Sequence, residues 1–320
     1  MQPIVTIIIP FLNREGFLTA TLNSILEQTS HQWECILIDD GSTDNSKHIC
    51  DKFIYSDNRF SYYHRTDNYK KGGNGARNMG ADKAKSNWLI FLDSDDLLAD
   101  SCIEERIKVI NSSSKNIDFT VNITGTFNKE MYDNDIVWNS FNPNESKNEL
   151  IKRFITLDSP WSTNSLTWNK TFFHLVKGWD ENLPCWQDWN IHLRALKRST
   201  SFLLTKKVDH YYRRDVPNSI AATPSREKYN AGMVKAIHYT LHNEGWSRKE
   251  SFMLTRLLLI KMVKLKASCE YFSTFKEGHI ALKLKNYLNK PKFSIKGIVG
   301  RLVFHAIDFK KGNKCELPIQ

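Results

Sequence analysis

The chain has 320 residues, of which 41% are hydrophobic and 25% charged, a composition typical of a globular protein with about two domains. No apolar run approaches the roughly 18 to 20 residues that a membrane-spanning helix needs. The net charge is +10, but residues 247–314 hold sixteen Lys or Arg against four acidic residues, so the basic character belongs to the C-terminal part.

Strands and helices alternate along the first part of the chain. Residues 4–9 predict a buried strand that Pro10 ends, and further strands are predicted at 34–38, 60–64, 88–92 and 117–124. The helix after the first strand has an apolar stripe made of Leu18, Leu22, Ile25 and Leu26. Further helices are predicted from about Ala76 and over roughly 100–110. This alternation predicts a doubly wound, mostly parallel sheet with helices on both faces.

Polar residues follow successive strands of this predicted sheet. Ligands of such sheets bind beyond the carboxyl ends of the strands, so these residues should meet at one rim. They are Pro10, Phe11, Leu12, Asn13, Asp39, Asp40, the loop 68–77, Asp93, Ser94 and Asp95.

The stretch "WLIFLDSDDL" (88–97) runs from an apolar strand into three carboxylates. In an extended chain Asp93 and Asp95 would point to one side and Asp96 to the other. Two carboxylates on one side suit a hard divalent cation. The alternative is an ordinary turn, in which Asp is common.

The glycine-rich stretch "GGNG" (72–75) could bind phosphate through backbone N–H groups, or it could be a flexible loop. The chain has no Walker pattern and no G-x-G-x-x-G after the first strand, so neither a P-loop nucleotidase nor a nicotinamide enzyme is supported. Arg77 could hold a diphosphate with its planar guanidinium. The alternative for Arg77 is a surface salt bridge.

The blocks "VTIIIPFLNRE", "ECILIDDGSTD" and "GARNMGADKAKSNWLIFLDSDD" resemble the N-terminal half of glycosyltransferase family 2, the inverting enzymes of GT-A fold. "KGWDENLPCWQDWNIHLRAL" (177–196) and "YYRRDVPNSI" (211–220) resemble later blocks of that family. The resemblance covers about residues 3–225. It implies a GT-A domain over 1–235, with a nucleotide-binding half (1–110) and an acceptor-side half (111–235), and a basic, mainly helical extension over 236–320.

The resemblance also implies roles for single residues on the donor side. Asp40 would read the uracil of a UDP donor. The loop with Pro10, Leu12 and Asn13 would wrap the nucleotide. Arg77 would reach the nucleotide or its phosphates.

Three acidic residues complete the site that the resemblance implies. Asp95 would bind the metal ion, Asp93 would lie nearer the ribose and sugar, and Asp188 would be the catalytic base. Residues 187–188 depart from the family pattern, because the common Glu-Asp pair is Gln187-Asp188 in this chain. The alternative role for Asp188 is a helix N-cap.

Five tryptophans lie near Asp188 in the sequence, and most of them are expected in the core. Trp186, beside Asp188, is the candidate for stacking on an acceptor sugar. The five are Trp161, Trp168, Trp179, Trp186 and Trp189.

The implied activity is the inverting transfer of a sugar from a nucleotide donor, UDP by the resemblance, to a hydroxyl of a glycan or lipid-linked acceptor in bacterial surface polysaccharide synthesis. Mn²⁺ or Mg²⁺ would be the cofactor. We expect one sugar to be added at a time, since the chain lacks the Q-x-x-R-W signature of processive family members.

Three other functions share parts of this pattern. A phosphatase of the haloacid dehalogenase type also places D-x-D after an apolar strand, although it would have that motif on its first strand. A sugar-nucleotide pyrophosphorylase would show a glycine-rich, Arg-containing loop after the first strand, which "PFLNRE" is not. The third is a non-catalytic sugar-nucleotide-binding protein, and the intact D-x-D pair together with Asp188 argues against such a loss of activity.

The basic tail contains an amphipathic helical pattern. Its apolar positions are Ile295, Ile298, Val299, Leu302, Ala306 and Phe309, and its flanking basic residues are Lys296, Arg301, Lys310 and Lys311. Such a helix can lie on an anionic membrane surface, or it can pack as a cap on the catalytic domain. Nucleic-acid binding is not expected, because no reading motif accompanies the charge.

The N-terminus and the cysteines bear on the cellular compartment. The N-terminus does not resemble a signal peptide. The six cysteines include no Cys-x-x-Cys pair, which argues against a disulfide scaffold or a zinc site and fits a reducing compartment. We expect a cytoplasmic protein, which the basic tail could attach to the inner face of the cytoplasmic membrane.

Overall fold

The computed structural model describes residues 2–113, 116–138, 140–214 and 226–264. Its contacts divide the chain into two compact units. The first consists of Met1–Phe154 with Asp158–Ala222, and the second of Ile155–Leu157 with Thr223–Gln320. The predicted division of the chain at residue 235 stays a prediction.

An eight-stranded sheet forms the centre of the first unit, in the order β3-β2-β1-β4-β7-β6-β8-β5. The strands are β1 (Val5–Phe11), β2 (Trp33–Asp39), β3 (Phe60–His64), β4 (Trp88–Phe91), β5 (Leu97–Leu98), β6 (Phe119–Phe127), β7 (Leu166–Asn169) and β8 (Phe202–Arg213). Neighbours are parallel from β3 to β4 and between β6 and β8. β7 is antiparallel to β4 and β6, and β5 is antiparallel to β8. The predicted mostly parallel α/β sheet is confirmed, and the reversed direction of β7 makes it a mixed sheet.

Helices connect the strands of the first unit. They are α1 (Leu18–Leu26), α2 (Ser46–Ser56), α3 (Gly73–Lys83), α4 (Cys102–Ser112), α5 (Lys147–Ile155), α6 (Lys170–Leu175) and α7 (Gln187–Arg198). α3 begins at Gly73 rather than at Ala76, so the glycine-rich stretch is the first turn of a helix and not a flexible loop. On α1, Leu26 is exposed while Leu22 is fully buried, so Leu26 is not part of the apolar stripe.

β1 is buried on both faces, as expected for a central parallel strand. Ile7 and Ile9 pack into a cluster with residues of α1 and α4. Ile8 points to the other face, where it contacts Gly80 of α3 closely enough that a Cβ there would lie 2.3 Å from its Cγ2. Helices therefore cover both faces of the sheet at β1.

Pro10 does not end β1, which continues to Phe11 with Pro10 paired to Ile38 of β2. A proline cannot donate a hydrogen bond to a neighbouring strand. On the other side, however, the β4 pairing of β1 stops at Ile8. Pro10 therefore lies where β1 has only one neighbour, and the strand tolerates it.

The second unit contains α8 (Arg226–Asn243) and α9 (Arg248–Lys264), which pack against each other. Between them, the Trp246 indole donates a hydrogen bond to the Thr240 carbonyl at 2.7 Å. In the part of the chain that the structure describes, no helix has the length and hydrophobicity needed to cross a membrane. The predicted amphipathic segment from Ile295 to Phe309 lies outside the described residues.

Candidate active site

The predicted rim is formed by the loops after β1, β2 and β4. Asn13 adopts a left-handed backbone conformation with φ 53°. Its side-chain Oδ1 accepts a hydrogen bond from the Thr43 N–H at 2.8 Å, and its own N–H donates to Ser42 Oγ at 3.0 Å. These bonds join the loop after β1 to the loop after β2. Pro10 is buried and Leu12 is exposed, so of these two residues only Leu12 has a side chain accessible to solvent.

Asp40 holds the next loop of the rim in place. Its Oδ2 accepts a hydrogen bond from the Gly72 N–H at 2.8 Å, and its Oδ1 accepts one from Arg65 Nε. Arg65 also donates to the Tyr69 carbonyl. The segment from Arg65 to Gly72 is therefore folded around this carboxylate.

Asp39, the neighbour of Asp40, is buried and binds mainly to the loop that follows it. Its Oδ1 accepts hydrogen bonds from the N–H groups of Gly41 and Ser42 at 3.0 and 2.7 Å, and its Oδ2 accepts one from the Tyr62 hydroxyl at 2.8 Å. Both of its oxygens are thus used to hold the end of β2 to the turn that follows and to β3.

Arg77 lies in the second turn of α3 and points toward β4. Its side chain is 8% exposed, and its Nη2 donates a hydrogen bond to Asp93 Oδ1 at 2.6 Å. The guanidinium carbon lies 4.9 Å from the centre of a Trp179 ring. Its Nε has no hydrogen-bond partner among the described residues. Arg77 thus forms an ion pair, as the alternative for it predicted, but its guanidinium is buried at the rim and not on the surface.

The acidic residues after β4 form a turn rather than an extended segment. β4 ends at Phe91, and the Asp96 N–H donates to the Asp93 carbonyl at 3.1 Å. Simple alternation of side chains along a strand therefore does not apply here. Asp93 and Asp95 are half-buried, whereas Asp96 is fully buried and faces inward.

Asp95 and Asp93 are close enough for their charges to interact. Burial and the Asp93 charge raise the pKa of Asp95, while Arg14 and Arg213 act in the opposite direction. A half-buried carboxylate whose ionised form is disfavoured by a neighbouring negative charge is a suitable environment for a cation.

Asp188 is the second residue of α7, and Trp186 occupies the N-cap position with φ 59°. The N-cap alternative for Asp188 is therefore wrong. Burial raises the pKa of Asp188, the Trp189 N–H and the charge of Arg77 lower it, and the charge of Asp93 raises it. The structure thus brings Asp188 within electrostatic range of the Arg77–Asp93 pair, although Asp93 and Asp188 are far apart in the sequence.

The loop before α7 is attached to the start of α3. The Glu181 carboxylate accepts hydrogen bonds from the Lys70 N–H at 2.6 Å and from Asn78 Nδ2 at 2.7 Å. Asn74 Nδ2 donates to the Leu183 carbonyl at 3.0 Å. These bonds fix the start of α7, which carries the predicted base, relative to α3, which carries the predicted diphosphate-binding arginine.

The tryptophans near the site are mostly part of the core. Trp161, Trp168, Trp179 and Trp189 are buried, as predicted. Trp186 is half-buried, and its ring lies 5.5 Å from that of Trp189. Its contact with an acceptor sugar stays a prediction.

Two arginines of the site were not predicted. Arg65 binds Asp40, and Arg213 donates from Nε to the Asp95 carbonyl at 2.9 Å. Arg65 directly follows the predicted third strand. Its position at the carboxyl end of a strand could therefore have identified it as a residue of the rim. Arg213 lies in the block 211–220, but its contact with the turn after β4 depends on a strand that is distant in the sequence.

Comparison with known proteins identifies the family of the chain. Residues 6–167 match the family described as Glycosyl transferase family 2. Glycosyltransferase GlyG of Streptococcus pneumoniae is 39% identical over 104 residues, which are 32% of this chain and 34% of that protein. The glucosyltransferase WfgD of Escherichia coli, described as acting from UDP-Glc on alpha-D-GlcNAc-diphosphoundecaprenol, is 36% identical over 107 residues, 33% of this chain and 41% of that protein.

The solved structure of S. aureus TarS residues 1–349 in complex with UDP-GlcNAc superposes with a TM-score of 0.63 at 14% identity, covering 100% of this chain and 95% of that one. This likeness confirms the predicted GT-A fold. The chain spans about a third to two fifths of the length of the two curated relatives named above. The family match extends over half of the chain and contains the rim residues from Pro10 to Asp95, and the protein therefore belongs to glycosyl transferase family 2.

Proposed function

We propose that this protein is an inverting, metal-dependent and non-processive glycosyltransferase. It moves a sugar from a UDP donor to a hydroxyl of a glycan or lipid-linked acceptor, in the synthesis of a bacterial surface polysaccharide. The observation that carries the proposal is the arrangement of Arg77, Asp93 and Asp188. Arg77 and Asp93, on the donor side, form an ion pair with an N–O distance of 2.6 Å, and the charges of both act on the Asp188 carboxylate at the start of α7.

The donor side offers groups suited to a nucleoside diphosphate. Each carboxylate oxygen of Asp40 accepts one hydrogen bond and retains a lone pair, so the carboxylate can also accept from the N3–H of uracil. Arg77 Nε, buried and without a partner among the described residues, is available to donate to a phosphate oxygen. A buried donor that lacks a partner in the free protein is stabilised when a ligand supplies one.

The residues also fit a divalent cation. In the described part of the chain, no group of three or more His, Cys, Asp or Glu side chains is placed to hold a metal ion. Mg²⁺ and Mn²⁺ sites of transferases need only one or two carboxylates, because substrate phosphates and water complete the coordination. Asp95, with Asp93 beside it, would hold the ion. When bound, the ion would offset the charge that develops on the leaving diphosphate.

Asp188 performs the proton transfer in this proposal. Its carboxylate takes the proton of the acceptor hydroxyl as the acceptor oxygen forms a bond to the anomeric carbon. The bond between that carbon and the diphosphate oxygen breaks, and UDP leaves with the bonding electrons. Attack from the face opposite to the leaving group inverts the anomeric configuration. Burial raises the pKa of Asp188, and this makes the carboxylate a stronger base while Arg77 and the Trp189 N–H favour its ionised form.

The comparisons support the substrate classes of the proposal. WfgD is described as using UDP-Glc and a diphosphoundecaprenol-linked acceptor. TuaG of Bacillus subtilis, described as a putative teichuronic acid biosynthesis glycosyltransferase, is 30% identical over 119 residues, 37% of this chain and 46% of that protein. The description of WfgD favours a UDP donor and a lipid-linked acceptor, and that of TuaG favours a role in the synthesis of a surface polysaccharide.

Calorimetry with UDP and Mn²⁺ tests the donor site. We expect Asp95→Ala to weaken UDP–Mn²⁺ binding strongly, because it removes the carboxylate that would hold the ion. Unchanged UDP–Mn²⁺ binding by this variant would show that Asp95 does not hold the metal ion.

Kinetics and product analysis test the base. We expect Asp188→Asn to keep the UDP–Mn²⁺ affinity while turnover falls by about 100-fold or more. Retained turnover, or a product with the anomeric configuration of the donor, would contradict the role of Asp188. Donor binding by the parent without transfer to any of a broad set of acceptors would favour a non-catalytic binding protein.

A further inference from the structure

The inward-facing residue of the turn after β4 has two hydrogen-bond partners from distant segments, of which Asn164 is buried and Arg213 half-buried. Asp96 is 1% exposed. Its Oδ1 accepts a hydrogen bond from the Arg213 N–H at 2.9 Å, and its Oδ2 accepts one from Asn164 Nδ2. A buried carboxylate is costly unless its oxygens are hydrogen-bonded. Asp96 therefore directs its bonds into the protein, away from the rim where Asp93 and Asp95 lie.

Asn164 forms the other half of this contact and is also buried. Its Oδ1 accepts a hydrogen bond from the Asp93 N–H at 3.3 Å, and its carbonyl accepts one from Arg106 Nη2 at 3.0 Å. Arg106 in turn donates from Nε and Nη2 to the two oxygens of Asp209 at 2.7 and 2.9 Å, and both side chains are fully buried. A planar two-bond ion pair of this kind has a defined geometry, so Asn164 is supported from behind by a rigid contact.

We call the pair of side chains the Asp96–Asn164 clamp. It joins three segments that are distant in the sequence: the turn 93–96, the short turn 163–165 before β7, and the end of β8. Arg213, whose N–H is held by the clamp, donates from Nε to the carbonyl of the middle acid of the turn at 2.9 Å. The D-x-D turn is thus attached through two backbone groups, the Asp93 N–H and the Asp95 carbonyl, and through the Asp96 side chain.

We propose that the Asp96–Asn164 clamp is a positioning device for the donor site. This inference rests on the proposed function. The clamp holds the Asp93 and Asp95 carboxylates and the Arg213 guanidinium in the arrangement that the diphosphate and its cation require. Neither residue of the clamp contacts the donor. Asp96 differs in this from the other two acids of the turn, because both of its oxygens are engaged inside the protein.

An exchange of the two side chains tests this proposal. Asp96→Asn alone leaves at least one N–H donor facing another donor, whichever way the two amides are oriented, because both residues also accept from a backbone N–H. Asn164→Asp alone places two carboxylates against each other. In the double variant the amide at 96 donates to the carboxylate at 164, and acceptors remain for the N–H groups of Arg213 and Asp93. Asn58→Asp, the same substitution at an exposed residue, is the matched control.

We expect each single variant to lower the UDP–Mn²⁺ affinity by about 10-fold or more and to lower the melting temperature, and the double variant to recover both. If the clamp acts by positioning the turn, donor affinity and melting temperature should recover together. A single variant that binds the donor within about threefold of the parent would overturn the proposal. So would a double variant that recovers its melting temperature but not its donor affinity, because the Asp96 charge would then act on the donor or its cation directly.

Amide hydrogen exchange at Asp93 and Arg213 provides a measurement that needs no donor. Exchange at both amides should be faster in the single variants and should slow again in the double variant. If the parent does not bind UDP–Mn²⁺ at all, the proposed function fails, while the exchange data still test the clamp. Unchanged exchange at both amides in the single variants would overturn the clamp regardless of donor binding.

Discussion

Asp188 lies in an environment that opposes its own ionisation. Burial raises the pKa of its carboxyl group, and the nearby charge of Asp93 acts in the same direction. Because the folded protein then binds the proton more tightly than the unfolded chain does, ionised Asp188 costs stability. The cost is absent below the unfolded pKa of about 3.9 and appears as the pH rises through the raised folded pKa.

We therefore expect Asp188→Asn to raise the melting temperature at pH 7.5, by about 1 to 3 °C, since the amide cannot ionise. The gain should shrink as the pH is lowered toward 4, where the parent is increasingly protonated. Calorimetric melting at both pH values measures this difference. Asp67→Asn, at an exposed residue of a loop, controls for the loss of one carboxylate. A lower melting temperature for Asp188→Asn at pH 7.5 would contradict the prediction.

His192 is a buried ring that the chemistry does not use. It is 1% exposed, and neither of its ring nitrogens has a hydrogen-bond partner among the described residues. Its ring centre lies 6.3 Å from that of Trp168, 6.1 Å from that of Trp161 and 5.7 Å from that of Phe154. Burial in this aromatic cluster, with a smaller contribution from the charge of Arg194, lowers the pKa of His192 to about 3.

The unfolded chain takes up a proton at this histidine below about pH 6.5, whereas the folded protein does so only near pH 3. Stability is therefore lost as the pH falls from 6.5 toward 3. We expect the parent to lose about 2 kcal/mol of its free energy of unfolding through this histidine when the pH is lowered from 8 to 5. His192→Phe should not show this loss. Urea unfolding at the two pH values measures the difference, with His48→Gln at an exposed site as control. Equal pH dependence of His192→Phe and the parent would refute it.

At the scale of elements, the start of α3 is packed directly against the loop before it. A Cβ on Gly75 would lie 2.0 Å from the Lys70 carbonyl oxygen. This contact is with backbone, so it cannot be relieved by rotating a side chain. The glycine allows the segment from Arg65 to Gly72 to fold close to α3 and around Asp40.

Gly75→Ala should therefore lower the free energy of unfolding by about 1 to 3 kcal/mol, the usual range for overpacking. It should also weaken UDP–Mn²⁺ binding, because the displaced loop carries the Gly72 N–H that bonds Asp40. Gly16→Ala is the matched control, since a Cβ on Gly16 would meet nothing within 4 Å. Urea unfolding and calorimetry of both variants check the prediction. Equal stability and affinity in the two variants would contradict it.

At the scale of the whole molecule, the mixed sheet gathers the site from distant parts of the chain. β1, β2 and β4 run parallel, and their loops supply Asn13, Asp40 and Asp93 to one rim. β7 runs antiparallel to β4, so the turn before β7 brings Asn164 to the carboxyl end of β4. β8 is parallel to β6, and its end brings Arg213 to the same place.

The basic tail leads to a prediction about where the protein acts. We expect the 320-residue chain to sediment with vesicles that contain anionic lipid at low salt. Replacing Lys296, Arg301, Lys310 and Lys311 by Gln should reduce this binding strongly, because each basic residue near such a surface contributes about 1 kcal/mol.

A variant with four Gln substitutions at exposed lysines of the first unit controls for net charge. Its substitutions are at Lys52, Lys85, Lys206 and Lys207. If the parent and both variants remain equally in the supernatant, the membrane interpretation is wrong, and a tail that packs as a cap becomes the better explanation.

The sequence by itself determined the order of the first strands and helices and the rim on which the site is built. Apolar runs ending in polar residues indicated β1, β2 and β4, and the carboxyl ends of parallel strands meet at one edge. The positions of Asn13, Asp40, Arg77 and Asp93 followed from this regularity, which depends only on local pattern.

Tertiary structure alone decided which way the remaining groups face and what they bind. The inward turn of Asp96 and the contacts of Arg65 and Arg213 come from segments that meet only after folding. The antiparallel direction of β7 likewise depends on pairing with β4, to which its short sequence gives no clue. A buried charge must find a partner wherever the fold provides one, and that choice depends on packing between residues far apart in the chain.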